Sequence, residues 1–228
     1  MREFAIGDIH GCIRALQELL EIIQPQKTDT IVFLGDYVDR GPDSCAVIDT
    51  IIDLNQRCTV VSLLGNHEQM MLDSRNDPDA CKEWLNQGGR ATLQSYGRRG
   101  FGWSLNDVPQ AHWDFLSEQV LDYWETDRNI FVHASLDPEL DMAEQPDFLL
   151  RWQVFRDPTR HKSGKQIVCG HTSQKAGWPA IFDGGVCIDT YAYGGRWLTC
   201  FDLSTRKFIQ ANERGEHRSF DFPAQRSR

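Results

Sequence analysis

No stretch of the 228 residues is apolar for long enough to cross a bilayer as a helix, so no membrane span is expected. Basic residues are few: 24 Lys and Arg against 33 Asp and Glu leave a net charge of −9, without the positive footprint of a general nucleic-acid binder. No CxxC pair occurs, and several of the seven cysteines, an odd count, fall within strand-like runs. Reduced thiols in a cytoplasmic protein are the simplest reading, and Cys12 is read as structural or neutral. The start, "MREFAIGD", runs directly into a strand and a motif, with no signal-peptide pattern. Repeats and low-complexity tracts are also missing. What remains is a chain of ordinary globular composition, long enough for one full core.

Five apolar runs read as strands: 2–7, 30–35, 59–65, 129–134 and 166–170. Between the first three, Ile13, Leu16, Leu19, Leu20 and Ile23, and then Val47, Ile48, Ile51, Ile52 and Leu54, keep helical spacing. Pro25 and Pro42 punctuate these units. Strand–helix–strand alternation predicts a parallel sheet with ligands at the carboxyl ends of its strands. Residues 69–128 break the rhythm and read as a helical insertion over one side of the site. After 178, short strands with tight turns predict antiparallel pairing in a second sheet. Residues 1–213 are taken as one catalytic domain and 214–228 as a mobile tail.

A short motif closes each strand-like run: "GDIHG" with Asp8 and His10, "GDYVDRG" with Asp36, Asp39 and Arg40, "GNHE" with Asn66, His67 and Glu68, "VHA" with His133 and "GHT" with His171. Singly they are weak, since Asp-x-His suits a structural turn and a lone histidine is usually a satisfied core residue. Jointly they supply six oxygen and nitrogen donors of complementary type and no thiolate, which suits Mn²⁺ and also Fe or Zn²⁺. Gly7 and Gly11 give the Asp8–His10 loop the freedom to turn both side chains inward. Asp36 has two oxygens with which to bridge two ions, and His133 and His171 complete the second. Two such ions about 3.5–4 Å apart bind phosphate and activate water.

His67 follows a proposed ligand and is expected to point elsewhere. Paired with Asp39 it is a candidate imidazolium and general acid, and Arg40 suits a bidentate grip on phosphate. His112, His161 and His217 lack such a context and are assigned no chemistry, and Arg98 and Arg99 are read as a solvated turn.

The ordered set GDxHG, GDxxDRG, GNHE, HA and GH resembles the phosphoprotein phosphatase family of the calcineurin-like metallophosphoesterases, over roughly residues 5–172. "GGRATLQSYG" and "CIDTYAYGGRWLT" are similar to the bacterial and phage branch of serine/threonine protein phosphatases. The resemblance implies a mixed α/β fold with a central two-sheet β-sandwich flanked by helices. It implies one ion at Asp8, His10 and Asp36, a second at Asp36, Asn66, His133 and His171, His67 as general acid with Asp39, and Arg40 on phosphate. A second phosphate-contacting arginine of the bacterial members falls in "LLRWQVFRDP", where Arg151 is favoured over Arg156.

Two substrate classes follow, phosphorylated proteins and small phosphate esters. The first reading is a serine/threonine protein phosphatase. The alternative is a symmetrical dinucleoside tetraphosphate hydrolase, whose sequences usually read GNHD, so Glu68 favours the phosphatase. A catalytically dead, metal-bound interaction module would have lost a ligand or the acid, and none is lost. Nuclease activity is disfavoured by the "DRG" signature and the acidic charge.

Overall fold

A computed structural model describes residues 1–97, 102–155 and 159–222. The strands and α-helices run β1 (Glu3–Ile6), α1 (Ile13–Ile23), β2 (Thr30–Phe33), α2 (Ser44–Leu54), β3 (Thr59–Leu63), α3 (Asn66–Asp73), α4 (Pro78–Trp84), α5 (Arg90–Tyr96) and α6 (Gln110–Asp114). They continue β4 (Val120–Leu121), β5 (Tyr123–Glu125), β6 (Asn129–Val132), α7 (Asp147–Trp152), β7 (Gln166–Cys169), β8 (Ala180–Phe182), β9 (Gly185–Cys187), β10 (Leu198–Asp202), β11 (Lys207–Ala211) and β12 (His217–Asp221). Each of the five expected strands is present.

Two sheets face each other. One has seven strands in the order β12-β11-β10-β1-β2-β3-β4, the other five in the order β5-β6-β7-β9-β8. Pairing is parallel through β1, β2, β3 and β4, and again through β6, β7 and β9. Strand alternation sorts the core into layers. Phe4, Ile6, Ile31 and Phe33 pack with the buried faces of α1 and α2. Their neighbours Ala5, Val32 and Leu34 turn the other way, onto Phe131, Val168 and Val186 of the second sheet. Both faces of the central strands are therefore buried, which is why they read as unbroken apolar runs rather than alternating ones. The outer face of the second sheet, including Ile130, Val132 and Ile167, is covered by Met142 and Leu150.

Three expectations are corrected. Only β8 and β9 of the late strands join the second sheet; β10, β11 and β12 return to the first, antiparallel to β1 and to one another. The expected mobile tail is ordered at least to β12, whose five residues register with the whole of β11. The segment 69–119 is helical in several short pieces, but β4 and β5 then close the two sheets at their edges, so the strands begin before residue 128. No helix of the described residues is long and apolar enough to cross a membrane.

At the first turn of the chain Arg2 holds Asp29. Its Nε and backbone N–H donate to the carboxylate at 3.1 Å, and its guanidinium also donates to the Ile23 and Gln24 carbonyls at the end of α1. Burial opposes ionisation of Asp29, but Arg2 and the Gln26 N–H outweigh it and hold the carboxyl at about 2. A depressed carboxyl stabilises the fold above the unfolded-state value and loses that contribution as pH falls through the folded one. Asp29→Asn should therefore cost about 1–2 kcal/mol at pH 7, discounted because the Arg2 side chain is 36% exposed. Urea titrations across the acid range check this: the difference from wild type should shrink between roughly pH 5 and pH 2.

Candidate metal centre

The motif residues meet because each follows the carboxyl end of a parallel strand. Asp8 and His10 leave β1, Asp36, Asp39 and Arg40 leave β2, and Asn66 and His67 open α3 after β3. From the second sheet, His133 follows β6 and His171 follows β7. The loops are backbone-strained. Five of the eight non-glycine residues with positive φ among the described residues are His10, Asp36, Asp39, Arg40 and His171. Such conformations cost about 1–3 kcal/mol each and persist only where surroundings over-determine them.

The donors converge in two triads that share Asp36: His10, Asp36 and His67, and Asp36, His133 and His171, each with ligand atoms within 4.8 Å of one another. Asn66 Oδ1 joins the second at 3.1 Å from His133 Nε2 and 3.0 Å from His171 Nδ1. The tautomers fit a metal. His10 Nδ1–H donates to the Val38 carbonyl at 2.8 Å, His133 Nδ1–H to Leu34 at 2.7 Å, and His171 Nε2–H to Trp152 at 3.1 Å. On each ring the other nitrogen then carries a lone pair, and it is that atom which faces the cluster. Burial disfavours the charged form of two of these rings, pushing His10 well down and His171 to about 4. Imidazole nitrogens turned inward with their lone pairs, a carboxylate and an amide oxygen form a donor set that divalent cations fit.

Asp8 is buried beside this cluster but outside both triads, with its two oxygens accepting the His171 N–H at 3.1 and 3.0 Å. Burial, with Asp189 and Asp36 nearby, drives its carboxyl well up. A cation would relieve this crowding of carboxylates.

His67 differs from the other rings. Its Nδ1 meets the Asp39 carboxylate at 2.6 Å instead of a main-chain carbonyl. Burial opposes the imidazolium, but Asp36 and Asp39 outweigh it and raise the pKa above the ordinary histidine value. Asp39 is itself fixed by Trp84 Nε1–H at 2.9 Å and Thr92 Oγ1–H at 2.6 Å. Arg40 donates to His10 Nε2 at 2.8 Å and lies over the Tyr193 ring, 4.7 Å from its centroid.

The insertion therefore completes the site. It docks at Gly88, whose φ of +130° and contact with Arg40 leave no room for a side chain: a Cβ would lie 2.8 Å from Arg40 Cγ. The sequence offers no chemical cue for Trp84 or Thr92, and only the paired glycines at 88–89 hint that a backbone approaches closely there. Glu68 also has a role that its motif concealed. Its carboxylate accepts N–H bonds from Asp36, Tyr37, Val38 and Gly65 at 2.8–3.2 Å and is turned to main chain, away from any substrate. Asp189, likewise unanticipated, accepts from Ser173 Oγ and the Tyr191 N–H.

Arg151 is engaged elsewhere. Its guanidinium donates to Asp122 at 2.5 Å and to Gln69 at 3.1 Å, whereas the next residue, Trp152, lines the cavity beside His67. Arg156, Arg98 and Arg99 lie outside the described residues. His112 is satisfied by Tyr96 and Asp49, His161 by Ser163 and Leu140, and His217 by Glu18, as befits histidines without chemistry. The Cys12 thiol is fully buried, and burial raises it.

The description of calcineurin-like phosphoesterases matches residues 1–180. The chain belongs to that family. That family is one of metal-dependent phosphoesterases, and the donor set of this chain is one that divalent cations fit. The chain is similar to the symmetrical bis(5'-nucleosyl)-tetraphosphatase of Nitrosomonas europaea, 31% identical over 72% of this chain and 58% of that one. The enzyme of that name from Legionella pneumophila strain Philadelphia 1 is 45% identical over 64% of this chain and 49% of its own. The chain thus spans about half the length of these curated relatives. Among solved structures, a protein provisionally described as a diadenosine tetraphosphatase superposes with a TM-score of 0.65 at 18% identity, covering 96% of this chain and 92% of that one. A Saccharomyces cerevisiae serine/threonine phosphatase gives 0.62 at 14% identity, over 99% and 81%. At these identities the two likenesses speak for the fold alone.

Two substitutions separate the metal set from its support. Asp36→Asn should lower metal content as well as turnover, because both triads share that carboxylate. Gly88→Ala should keep the metals and lose about 10²-fold in kcat/KM by displacing Arg40. Elemental analysis paired with kinetics distinguishes the two; metal loss in Gly88→Ala would contradict this division.

Proposed function

We propose that this chain is a metal-dependent dinucleoside tetraphosphate hydrolase that cleaves its substrate symmetrically into two nucleoside diphosphates. The likeness to curated enzymes of that activity supports the substrate. Between the two substrates it was Glu68 that favoured the serine/threonine phosphatase, and its carboxylate is occupied by four backbone N–H groups. Glutamate at that position therefore measures the packing of the Asp36 loop and carries no information about substrate.

Asp8, His10 and Asp36 would hold one divalent ion, and Asp36, Asn66, His133 and His171 the second, Mn²⁺ being the first choice. Such ions supply Lewis acidity and a water of lowered pKa. The chain's own groups do the rest. Arg40 grips phosphate oxygens, and its stacking on Tyr193 limits the freedom it must give up. His67 donates the proton from Nε2 to the departing oxygen, while Asp39 holds Nδ1 and keeps the ring charged. Trp84 and Thr92 prevent Asp39 from turning away.

With Mn²⁺-loaded enzyme, kcat/KM for diadenosine tetraphosphate should exceed that for a phosphoserine peptide by about 10²-fold or more, with ADP as the sole nucleotide product. A reversed ranking would return the chain to the protein phosphatases.

The acid should matter unequally. A nucleoside diphosphate leaves readily, whereas a serine alkoxide must be protonated. His67→Asn should lower turnover of an alkyl phosphate by about 10²–10⁴-fold and of the tetraphosphate by much less. Equal losses would remove His67 from proton transfer.

A further inference from the structure

A cavity of about 400 Å³ opens beside His67, on the side where the departing group must lie. Its floor is α3. Met70 and Asp73 line it one and two turns beyond His67, so at 1.5 Å per residue it runs about 10 Å from the centre. Glu83 and Gln87 form the facing wall, at the end of α4 and in the turn that follows. Trp152 closes the third side, 37% exposed, while its carbonyl accepts the His171 Nε2–H. The Trp152 backbone is thus tied to the metal centre, while the residue stays partly open to solvent.

The polarity of this cavity is graded. Arg40 lies at the phosphate end, and Asp73, one of whose oxygens accepts from Gln69, and Glu83 are acidic residues among those that line the remainder. The two phosphates of a departing nucleoside diphosphate would lie at the Arg40 and His67 end, and further acidic groups beyond them would be repelled. A nucleoside would not be. It offers a flat ring for an indole and a thioether, and hydroxyl and amino donors for carboxylate and amide oxygens.

We infer that this cavity is the subsite for the nucleoside on the departing half of the substrate, with the base stacked on Trp152 and its polar edge or ribose meeting Glu83 and Gln87. The inference rests on the dinucleoside reading of the same site.

Trp152→Ala and Trp152→Phe keep the carbonyl that orients His171 and alter only the stacking surface. Trp152→Ala should raise KM for diadenosine tetraphosphate about ten- to a hundredfold relative to its effect on p-nitrophenyl phosphate. Trp152→Phe should recover most of that loss. Independently of turnover, saturation-transfer NMR on metal-free protein should carry saturation to the adenine protons of ADP, and Trp152→Ala should abolish it. Equal effects on both substrates, or no transfer to adenine from protein that turns over the tetraphosphate when loaded, would overturn the subsite alone. Failure of the wild type to hydrolyse the tetraphosphate would overturn the dinucleoside reading and the subsite with it.

Discussion

The carboxylate of Glu68 is the constraint on which the centre depends. Asp36, Asp39 and Arg40 all adopt positive φ within five residues, a loop that is unfavourable by several kcal/mol on its own. Glu68 accepts the N–H groups of three consecutive residues of that loop and of Gly65 before α3, so one buried side chain pins β2's exit to β3's exit. Burial works against its charge and pushes the carboxyl up, while the N–H donors stabilise the ionised form. The result is a rigid seat for Asp36, whose Oδ1 also accepts the His67 N–H at 3.2 Å.

From that seat the environment divides four histidines into two kinds. His10, His133 and His171 each donate one nitrogen proton to a main-chain carbonyl, which leaves the other nitrogen as a lone-pair donor. His67 has a carboxylate in that place, and the same local negative charge that attracts cations keeps its proton. On the proposed reading, chemically identical side chains a few ångströms apart serve as ligands or as acid according to whether the partner behind the ring is a carbonyl or a carboxylate.

Much of this was legible beforehand. Strand positions could be read because both faces of β1, β2 and β3 are buried, and the donors because each stands one turn after an apolar run. The Asp39–His67 pair followed from spacing and residue type. What escaped was decided by contacts remote in sequence. Glu68 was read as a guide to the substrate, yet its carboxylate is turned to the backbone of the Asp36 loop. Trp84 and Thr92 reach Asp39 from more than forty residues away. The return of β10 to pair with β1 could not be told from a hairpin extension of β9, since local alternation does not name a strand's partner.

This asymmetry has a chemical origin. The motif residues serve the phosphoryl group, which every substrate of this family presents, so their pattern identifies the reaction and is indifferent to what the phosphate is attached to. On the proposed reading the rest of the substrate meets α3 beyond its first turn, α4 and its following turn, and Trp152, elements whose residues are chosen for shape and polarity and leave no motif. Those walls are nevertheless tied to the centre: Trp84 supports Asp39, and the Trp152 carbonyl supports His171. A substrate that presses on the cavity therefore presses on the groups that orient both the acid and a ligand. Binding energy remote from the reacting phosphorus can in this way act on its geometry, which is where it contributes to rate rather than to affinity alone.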